Sequence, residues 1–497
     1  MDIKRIMSRI GRAAKGYGGL SLATVALFIA IVFVLNTIVY GLAERFSWYA
    51  YTTEKYEHQI GDATEPYFAT LDTEGRVARI RFCMTEDLLR EDFANDLVYS
   101  TALQLENKYD FIEVDHINIY IDPEEVNQYR GLSTDPETGE ETETNAISTQ
   151  SVIIDNGDGT DFMVLRMSSF FELDANGSIL AYKGEEVMAA MVHRVMTEDE
   201  KTVYFTVNHG ERSSATFYNL LVCAGYKVAE IDLRANDVPE DAEILIISNP
   251  IYDFEKAEAG TGIVSEIDRL NSFLSDGGAL YAMIDPLVGE LTYLDELLSA
   301  WGLDRVRATV RDVSSSLTPD GLTLMTELGA GTASATRVSQ RVSGATEASV
   351  VLRNAAPIAL RANNDRGASV EALLRSSSGA AAYADGEKIS STGSYPLAAL
   401  ARQQGGGSVF LVSSIFLTAQ DAIQTNGYAN AEFLYALLEE VSGAAVPLGC
   451  SVLDFDVEQL EGLSMGVAHT YSLILVGIVP ALIAAVGAVV CIRRKNR

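Results

Sequence analysis

Short apolar strands alternate with helical segments between Thr202 and Asp285, and this alternation constrains the fold more than any other feature of the chain. The strand candidates are rich in β-branched and aromatic residues; in order they read TVYFTV, KVAEIDL, ILIISNP and ALYAMIDP. The segments FYNLLVCAGY and IVSEIDRLNSFLSDGG lie between them and have helical spacing of apolar residues. Strands that alternate with helices in this way are typical of βαβ units. The sequence therefore predicts an α/β fold around a parallel sheet.

The length of 497 residues indicates more than one domain. We expect a first external α/β domain at 72–200 and a second at 201–445. The second would carry an elaborated lobe at about 305–407, which is rich in Ser, Ala, Gly and Thr and looks poor in strands.

Local patterns fill in the first domain. ARIRFCMT reads as a strand, Glu86–Lys108 as one amphipathic helix, and INIYID as a strand that ends at Asp122. SVIIDNGDGTDFMVLRM predicts a hairpin that turns at Asn156-Gly157 or Asp158-Gly159. The acidic, polar stretch Ser133–Gln150 is predicted to be a surface loop.

Two uncharged apolar stretches, Leu20–Leu42 and Tyr471–Ile492, are each long enough to cross a bilayer as a helix. Basic residues precede the first stretch and follow the second, so both termini are predicted to be cytoplasmic. The predicted segments outside the two domains are a basic tail (1–16), a membrane helix (17–43), a linker (44–71), a second linker (446–469), a second membrane helix (470–492) and a basic tail (493–497). We therefore expect a plasma-membrane protein whose main part is extracytoplasmic.

The charge of the chain argues against nucleic acid as a partner. The formal net charge is −32. Each predicted cytoplasmic end contributes about +4, so the external part carries about −40, a charge that repels phosphate backbones.

A motif for nucleotide binding is absent from the sequence, which contains no G-x-x-x-x-G-K-[ST] phosphate loop. A G-x-S-x-G pattern occurs at Gly462–Gly466, in the predicted linker 446–469. The cysteines Cys83, Cys223, Cys450 and Cys491 form no C-x-x-C pair and have no metal-ligand spacing. His193 falls on the apolar side of a predicted helix, where a packed histidine is expected. We predict no catalytic residue, no metal and no cofactor.

One constellation could still contact a ligand or a partner. The first strand of the central stretch ends in the turn Asn208-His209-Gly210-Glu211, and Ser213 follows it. Asp285 ends another strand, and strand ends in an open α/β sheet face a common crevice. A His and two carboxylates could act as acid and base or as metal ligands. Alternatively, Glu211 and the serines cap a helix and His209 bonds to a neighbouring loop.

Several stretches in order match a known family. They are TTEKYEHQIGDAT after the first apolar segment, GEEVMAAMVHRV, TVYFTVNHGE, IDLRANDVPEDAEILIISNP, FLSDGGALYAMIDP, SYPLAALARQQGGGSVFLVSS, GYANAEFL and the final IRRKNR. The chain thereby resembles the Gldg family, the gliding-motility-associated auxiliary components of ABC-type transport systems. Family members usually have a glycine where this chain has Asn208.

The resemblance implies a non-enzymatic, membrane-anchored subunit that works beside a separate ABC ATPase and permease. It also implies that the parallel sheet is flavodoxin-like, of the glutamine-amidotransferase-like kind, without that class's catalytic cysteine. Two alternatives stay open at this point. One is an extracytoplasmic module that binds a ligand or cell-wall material. The other is a hydrolase that uses His209, Glu211 and Asp285.

Overall fold

The computed structural model of the chain describes residues 58–455, with gaps at 74, 122, 135–140, 144, 174–176, 198–200, 258–264, 426 and 451. Both predicted membrane helices and both basic tails lie outside the described residues. Within the described part, no helix combines the length and the apolar character that a bilayer crossing needs. The described part is a mixed α/β fold with a parallel sheet, as the strand and helix alternation predicts.

A four-stranded sheet is built from the first elements of the described chain. In order, these elements are α1 (Thr64–Phe68), β1 (Ala78–Phe82), α2 (Glu86–Glu91), α3 (Phe93–Lys108), β2 (Ile112–His116), a 3₁₀ helix (Pro123–Tyr129), β3 (Leu132–Thr134), β4 (Glu141–Glu143), β5 (Ser151–Asp155), β6 (Phe162–Arg166), a 3₁₀ helix (Met167–Phe170), β7 (Phe171–Leu173), β8 (Ile179–Tyr182) and α4 (Gly184–Met196). The sheet has the order β2-β1-β5-β6. The pairing of β1 with β2 is parallel, and β5 and β6 form the predicted antiparallel hairpin.

Three predictions for this region are corrected by the structure. The helix expected over Glu86–Lys108 is broken at Asp92, whose backbone is extended. The Asp92 side chain caps the second helix, α3, because its Oδ1 accepts from the Asn95 amide at 3.0 Å. The strand that pairs with β1 is Ile112–His116 and not INIYID. Because β1 ends at Phe82, its last hydrogen bond to this part of the chain runs from the Ile117 amide to the Phe82 carbonyl. The predicted loop Ser133–Gln150 contains strand β4, which pairs with β3.

The central sheet follows. Its elements are β9 (Thr202–Thr206), α5 (Ala215–Cys223), β10 (Lys227–Ile231), β11 (Ala242–Ser248), α6 (Glu266–Ser275), β12 (Ala279–Met283) and α7 (Thr292–Ala300). After the region 303–402, the elements are β23 (Ser408–Val412), a 3₁₀ helix (Ile415–Thr418), α9 (Gln420–Ile423), α10 (Asn430–Ser442) and β24 (Leu453–Asp454). Strands β10, β9, β11, β12 and β23 lie side by side in that order and are all parallel.

Both faces of the central sheet are covered. On β11, Ile244 and Ile246 belong to the core that includes α5, α8 (Ala333–Ala345) and α10. Leu245 and Ile247 belong to the opposite core, with α6, α7 and the buried Trp301. Because successive side chains of a strand point to opposite faces, a strand covered on both sides must be apolar throughout. This explains why the central strands β11 and β12 are mainly apolar, whereas the edge strand β10 carries the exposed Lys227 and Glu230.

The region 305–407 is corrected from strand-poor to strand-rich. It supplies, in whole or in part, strands β13 (Leu303–Arg305), β14 (Thr309–Arg311), β15 (Thr323–Met325), β16 (Glu327–Leu328), β17 (Val351–Arg353), β18 (Ile358–Leu360), β19 (Ser369–Arg375), β20 (Ala381–Ala384), β21 (Glu387–Lys388) and β22 (Pro396–Arg402). Three of them, β22, β19 and β16, extend the central sheet to eight strands in antiparallel fashion. Most of these strands are too short to show periodicity in the sequence.

A buried carboxylate links the region 305–407 to α10. Glu440 of α10 has a side chain that is 3% exposed and contacts three arginines. Its oxygens accept from Arg337 Nε at 2.7 Å, Arg341 Nη1 at 3.2 Å and Arg402 Nη1 at 3.2 Å. Burial alone raises the pKa of a carboxyl, but the arginines outweigh it and lower the pKa of Glu440 to about 2.

Candidate functional site

The predicted turn lies where β9 leaves the carboxyl edge of the central sheet. Asn208 and Gly210 both have left-handed backbones, with φ of 76° and 75°. Asparagine tolerates this conformation better than most residues with a side chain. The Asn208 side chain also donates to Asp232 Oδ2 at 2.7 Å, which links the turn to the end of the neighbouring strand β10. The left-handed backbone at Asn208 is thus accommodated.

His209 lies between two carboxylates at the centre of this turn. Its ring is fully buried, Nδ1 is 2.9 Å from Glu211 Oε1, and Nε2 is 3.1 Å from Glu266 Oε2. One face of the imidazole stacks on Phe254, with ring centroids 4.0 Å apart and planes 15° from parallel. Since an ionised carboxylate only accepts, both ring nitrogens must donate, and the imidazole must carry two protons.

The charge state of this network follows from the same contacts. Burial by itself lowers the pKa of the imidazole, but the hydrogen bonds to Glu211 and Glu266 outweigh it and raise the pKa of His209 to about 9. Burial likewise raises the pKa of the Glu211 carboxyl, but its hydrogen bond to His209 outweighs this and leaves that pKa below its usual value. His209 is therefore a cation at neutral pH and is held by two anions.

The sequence did not single out Glu266. It lies in the first turn of α6, directly after Ser265, which caps the helix together with Asp268. Its Oε2 also accepts from the Glu255 amide at 2.7 Å, so that it joins the His209 turn to a second loop. The capping pattern Ser265-x-x-Asp268 marks the helix start in the sequence, but 57 residues separate Glu266 from His209 and no local pattern reveals their contact.

The backbone of His209 organises the neighbouring loop. Its carbonyl oxygen accepts from the amides of Ile251 and Tyr252 at 2.7 and 2.9 Å. The side chains of these two residues point outward and are 55% and 65% exposed. Leu287, beyond the end of the adjacent strand β12, is 87% exposed. The polar turn is thus an internal support for an edge that presents apolar side chains to solvent.

Asp285 does not join His209 and Glu211. Its Oδ1 accepts from the Ile415 amide at 2.8 Å, and its own amide donates to Asn249 Oδ1 at 2.9 Å. Burial raises the pKa of Asp285, and the hydrogen bond from Ile415 and the charge of Arg212 partly oppose this. Ser213 is exposed beside the turn. The structure therefore places His209 beside Glu211, and the second carboxylate at the imidazole is Glu266 and not the predicted Asp285.

The arrangement limits the chemistry that this turn can perform. A general base needs an accessible lone pair, whereas both nitrogens of His209 face carboxylates and the ring has no exposed surface. Within the described ranges, no group of three or more His, Cys, Asp and Glu side chains is arranged to hold a metal ion. The His209 cluster has the geometry of a structural ion pair. The alternative prediction is confirmed only in part: the His209 carbonyl bonds to the neighbouring loop, but the Glu211 carboxylate bonds back to His209 and Ser214, the N-cap of α5, makes no side-chain capping hydrogen bond.

Comparisons with known proteins do not assign the chain to a family. No family model matches the chain, and no curated protein matches it. Among solved structures, it is similar to the mmIFT52 N-terminal domain, at 15% identity and a TM-score of 0.36 over 48% of this chain and 96% of that one. It is also similar to a thuA-like protein from Bacteroides uniformis, at 12% identity and a TM-score of 0.30 over 50% of this chain and 93% of that one. Likenesses this remote carry no argument about function.

Proposed function

We propose that this chain is a membrane-anchored, non-enzymatic auxiliary subunit of an ABC-type transport or motility-related system, of the Gldg type. In this proposal, Leu20–Leu42 and Tyr471–Ile492 anchor it in the plasma membrane with both termini in the cytoplasm and the main part outside. It would work beside a separate ATPase and permease, since the sequence has no phosphate-binding loop of its own.

The sheet order supports the fold that this proposal implies. Numbered along the chain, the five parallel strands have the spatial order 2-1-3-4-5. That is the order of flavodoxin-like sheets, in which the carboxyl edge of the strands is the usual contact site. We infer a flavodoxin-like sheet whose carboxyl edge serves a partner protein.

The observation that carries the proposal is the apolar character of that edge. We define the docking edge as Ile251, Tyr252 and Leu287. Strands β11 and β12 are adjacent and parallel, with Ser248 opposite Met283, so the two loops that bear these side chains leave the sheet side by side. Large apolar side chains that are grouped and exposed are typical of protein contact sites. The backbone carbonyl of His209 holds one of these loops from inside, which suits a preformed surface.

Co-purification from membranes in mild detergent tests the proposal. The wild-type chain should recover an ABC ATPase and a permease. The double variant Tyr252→Asp, Leu287→Asp should recover at least about tenfold less of both, because charge at the centre of an apolar contact costs well over 1.4 kcal/mol. Tyr120→Asp, a change at another side chain that is 83% exposed, is the matched control and should recover wild-type amounts.

Two results would contradict this function. One is that no ATPase or permease accompanies the wild-type chain under conditions that keep other ABC transporters intact. The other is that the double variant at the docking edge recovers as much partner as the Tyr120 control.

A further inference from the structure

A cavity lies away from the docking edge, where α4 meets α10. It consists of two adjoining chambers of about 420 and 300 Å³. Five residues line both chambers, and Lys183 and Glu186 at the start of α4 and Ala431 and Tyr435 in α10 are among them. Small-molecule sites commonly have this size and lie between separately packed parts of a protein.

The charged groups of the cavity are unbalanced. Among the described residues that line it, three are glutamates, Glu172, Glu186 and Glu432, and one is a lysine, Lys183. The lysine forms an ion pair with the buried Glu172. Burial opposes the charge of Lys183, but Glu186 and Glu172 outweigh it and raise the pKa of the ammonium group. Lys183 is therefore a cation, and the lining carries more negative than positive charge.

Glu172, Glu186 and Glu432 share the single positive charge of Lys183. Glu186 Oε1 also accepts from the Tyr435 hydroxyl at 2.5 Å, a neutral donor that brings no positive charge. Glu432 Oε2 is buried, and no described residue forms a hydrogen bond with it. Burial raises the pKa of Glu432 and the nearby charge of Glu186 adds to the effect, whereas a backbone hydrogen bond and Lys183 partly oppose it. Glu186 and Glu432 are both partly exposed, but Oε2 of Glu432 is held away from water without a hydrogen bond, which is unfavourable unless a donor joins it.

The remaining walls favour an organic ligand over a bare ion. The larger chamber is lined by apolar side chains of Leu165, Phe171, Val187, Met191 and Leu220. Ser168, Ser169 and Asn219 line the same chamber and are exposed, so that it has an opening to solvent. The chamber therefore offers an apolar wall beside an acidic end.

We propose that this cavity binds a small organic ammonium ion, whose nitrogen lies between Glu186 and Glu432 and whose apolar part fills the larger chamber. An anionic ligand is disfavoured, because the lysine is already matched by Glu172 and the other two carboxylates would repel the anion. Binding of this kind needs no partner protein, so its failure and the failure of the docking proposal are separate results.

A matched pair of probes tests the proposal on the full-length chain in detergent. Phenethylammonium and 3-phenylpropionate have the same aromatic ring at a similar distance from opposite charges. We expect the ammonium compound to raise the melting temperature by roughly 3 °C at a hundredfold excess over its Kd, and the carboxylate to leave it unchanged. Titration calorimetry should show saturable binding of phenethylammonium alone.

Variants of two glutamates in α10 distinguish binding at this cavity from a general effect of protein charge. Glu432→Gln should weaken binding of phenethylammonium at least about tenfold, because a charge-assisted hydrogen bond is lost. Glu439→Gln removes a carboxylate that pairs with Arg341 and does not line the cavity, and it should bind like wild type. Glu186→Gln provides a second test if Glu432→Gln does not fold. Equal responses to the two probes, no response to either, or equal weakening by Glu432→Gln and Glu439→Gln would overturn the proposal.

Discussion

Raising the pH should remove the contribution of His209 to the stability of the fold. The pKa of His209 is about 9 in the folded chain, against about 6.5 for an unperturbed histidine. A folded-state pKa above the unfolded value stabilises the protein fully below the unfolded pKa, and this stability is lost as the pH rises through the folded pKa. The relevant window therefore runs from about pH 6.5 to about pH 9 and beyond.

The size of the effect follows from the two pKa values. The shift corresponds to about 3 kcal/mol in acid, about 2.5 kcal/mol at pH 7 and almost nothing at pH 10. These values apply because the imidazole is fully buried between Glu211 and Glu266, where solvent screens the pair little.

Urea unfolding at pH 7 and pH 10 measures this contribution when wild type is compared with His209→Gln. The difference in unfolding free energy between the two proteins should shrink by about 2.5 kcal/mol at the higher pH. Lysines and tyrosines also titrate in this range, but they do so in both proteins and cancel in the difference. His193→Gln is the matched control. His193 stacks on Tyr67, and burial lowers its pKa to about 4, so it is neutral at both pH values.

A difference between wild type and His209→Gln that stays constant from pH 7 to pH 10 would refute the reasoning. It would mean that His209 is neutral in the fold and that one of its two carboxylates holds the proton. A loss that appears equally in His193→Gln would instead show that the pH effect lies outside the His209 cluster.

Three further predictions concern stability. Glu440→Gln should destabilise the fold by about 2 kcal/mol in thermal melts, because three arginines lose a buried anion. Since the pKa of Glu440 is about 2, the stability difference between wild type and variant should decrease as the pH drops from 4 towards 2. Gly407→Ala should cost about 2 kcal/mol in urea unfolding, since its Cβ would lie 2.4 and 2.5 Å from two backbone carbonyl oxygens, whereas Gly344→Ala in a helix with open space should stabilise slightly. Asn208→Gly should change the melting temperature little, and Asn208→Val should lower it by a few degrees, because a β-branched residue at φ 76° is strained.

The parallel sheet could be predicted from the sequence because its signal is local. Strands β9, β11 and β12 are largely apolar runs, and the helices of this stretch have amphipathic spacing and clear ends such as Ser265 and Gly278. The hairpin of β5 and β6 was predictable for the same reason, since its turn is rich in Asn, Asp and Gly. In these segments, the residues that define an element lie within the element itself.

The region 305–407 could not be predicted in this way. Strand β16 is two residues long and exists because β19, from elsewhere in the chain, lies beside it. The strand expected at INIYID failed for a related reason, since the length of β1 and not the local sequence decides where β2 ends. Pairing of this kind is a property of the assembled sheet.

At the candidate site, the sequence by itself determined that a polar turn with His209 and Glu211 follows a buried strand. Only the tertiary structure decided what the turn does. It brings Glu266 to the second ring nitrogen across 57 residues, and it turns Asp285 towards Ile415. The physical reason is that hydrogen bonds and ion pairs act over a few ångströms of space, whatever the separation along the chain. A local pattern can therefore show which groups are present, but the packing of the sheet edge decides which of them meet.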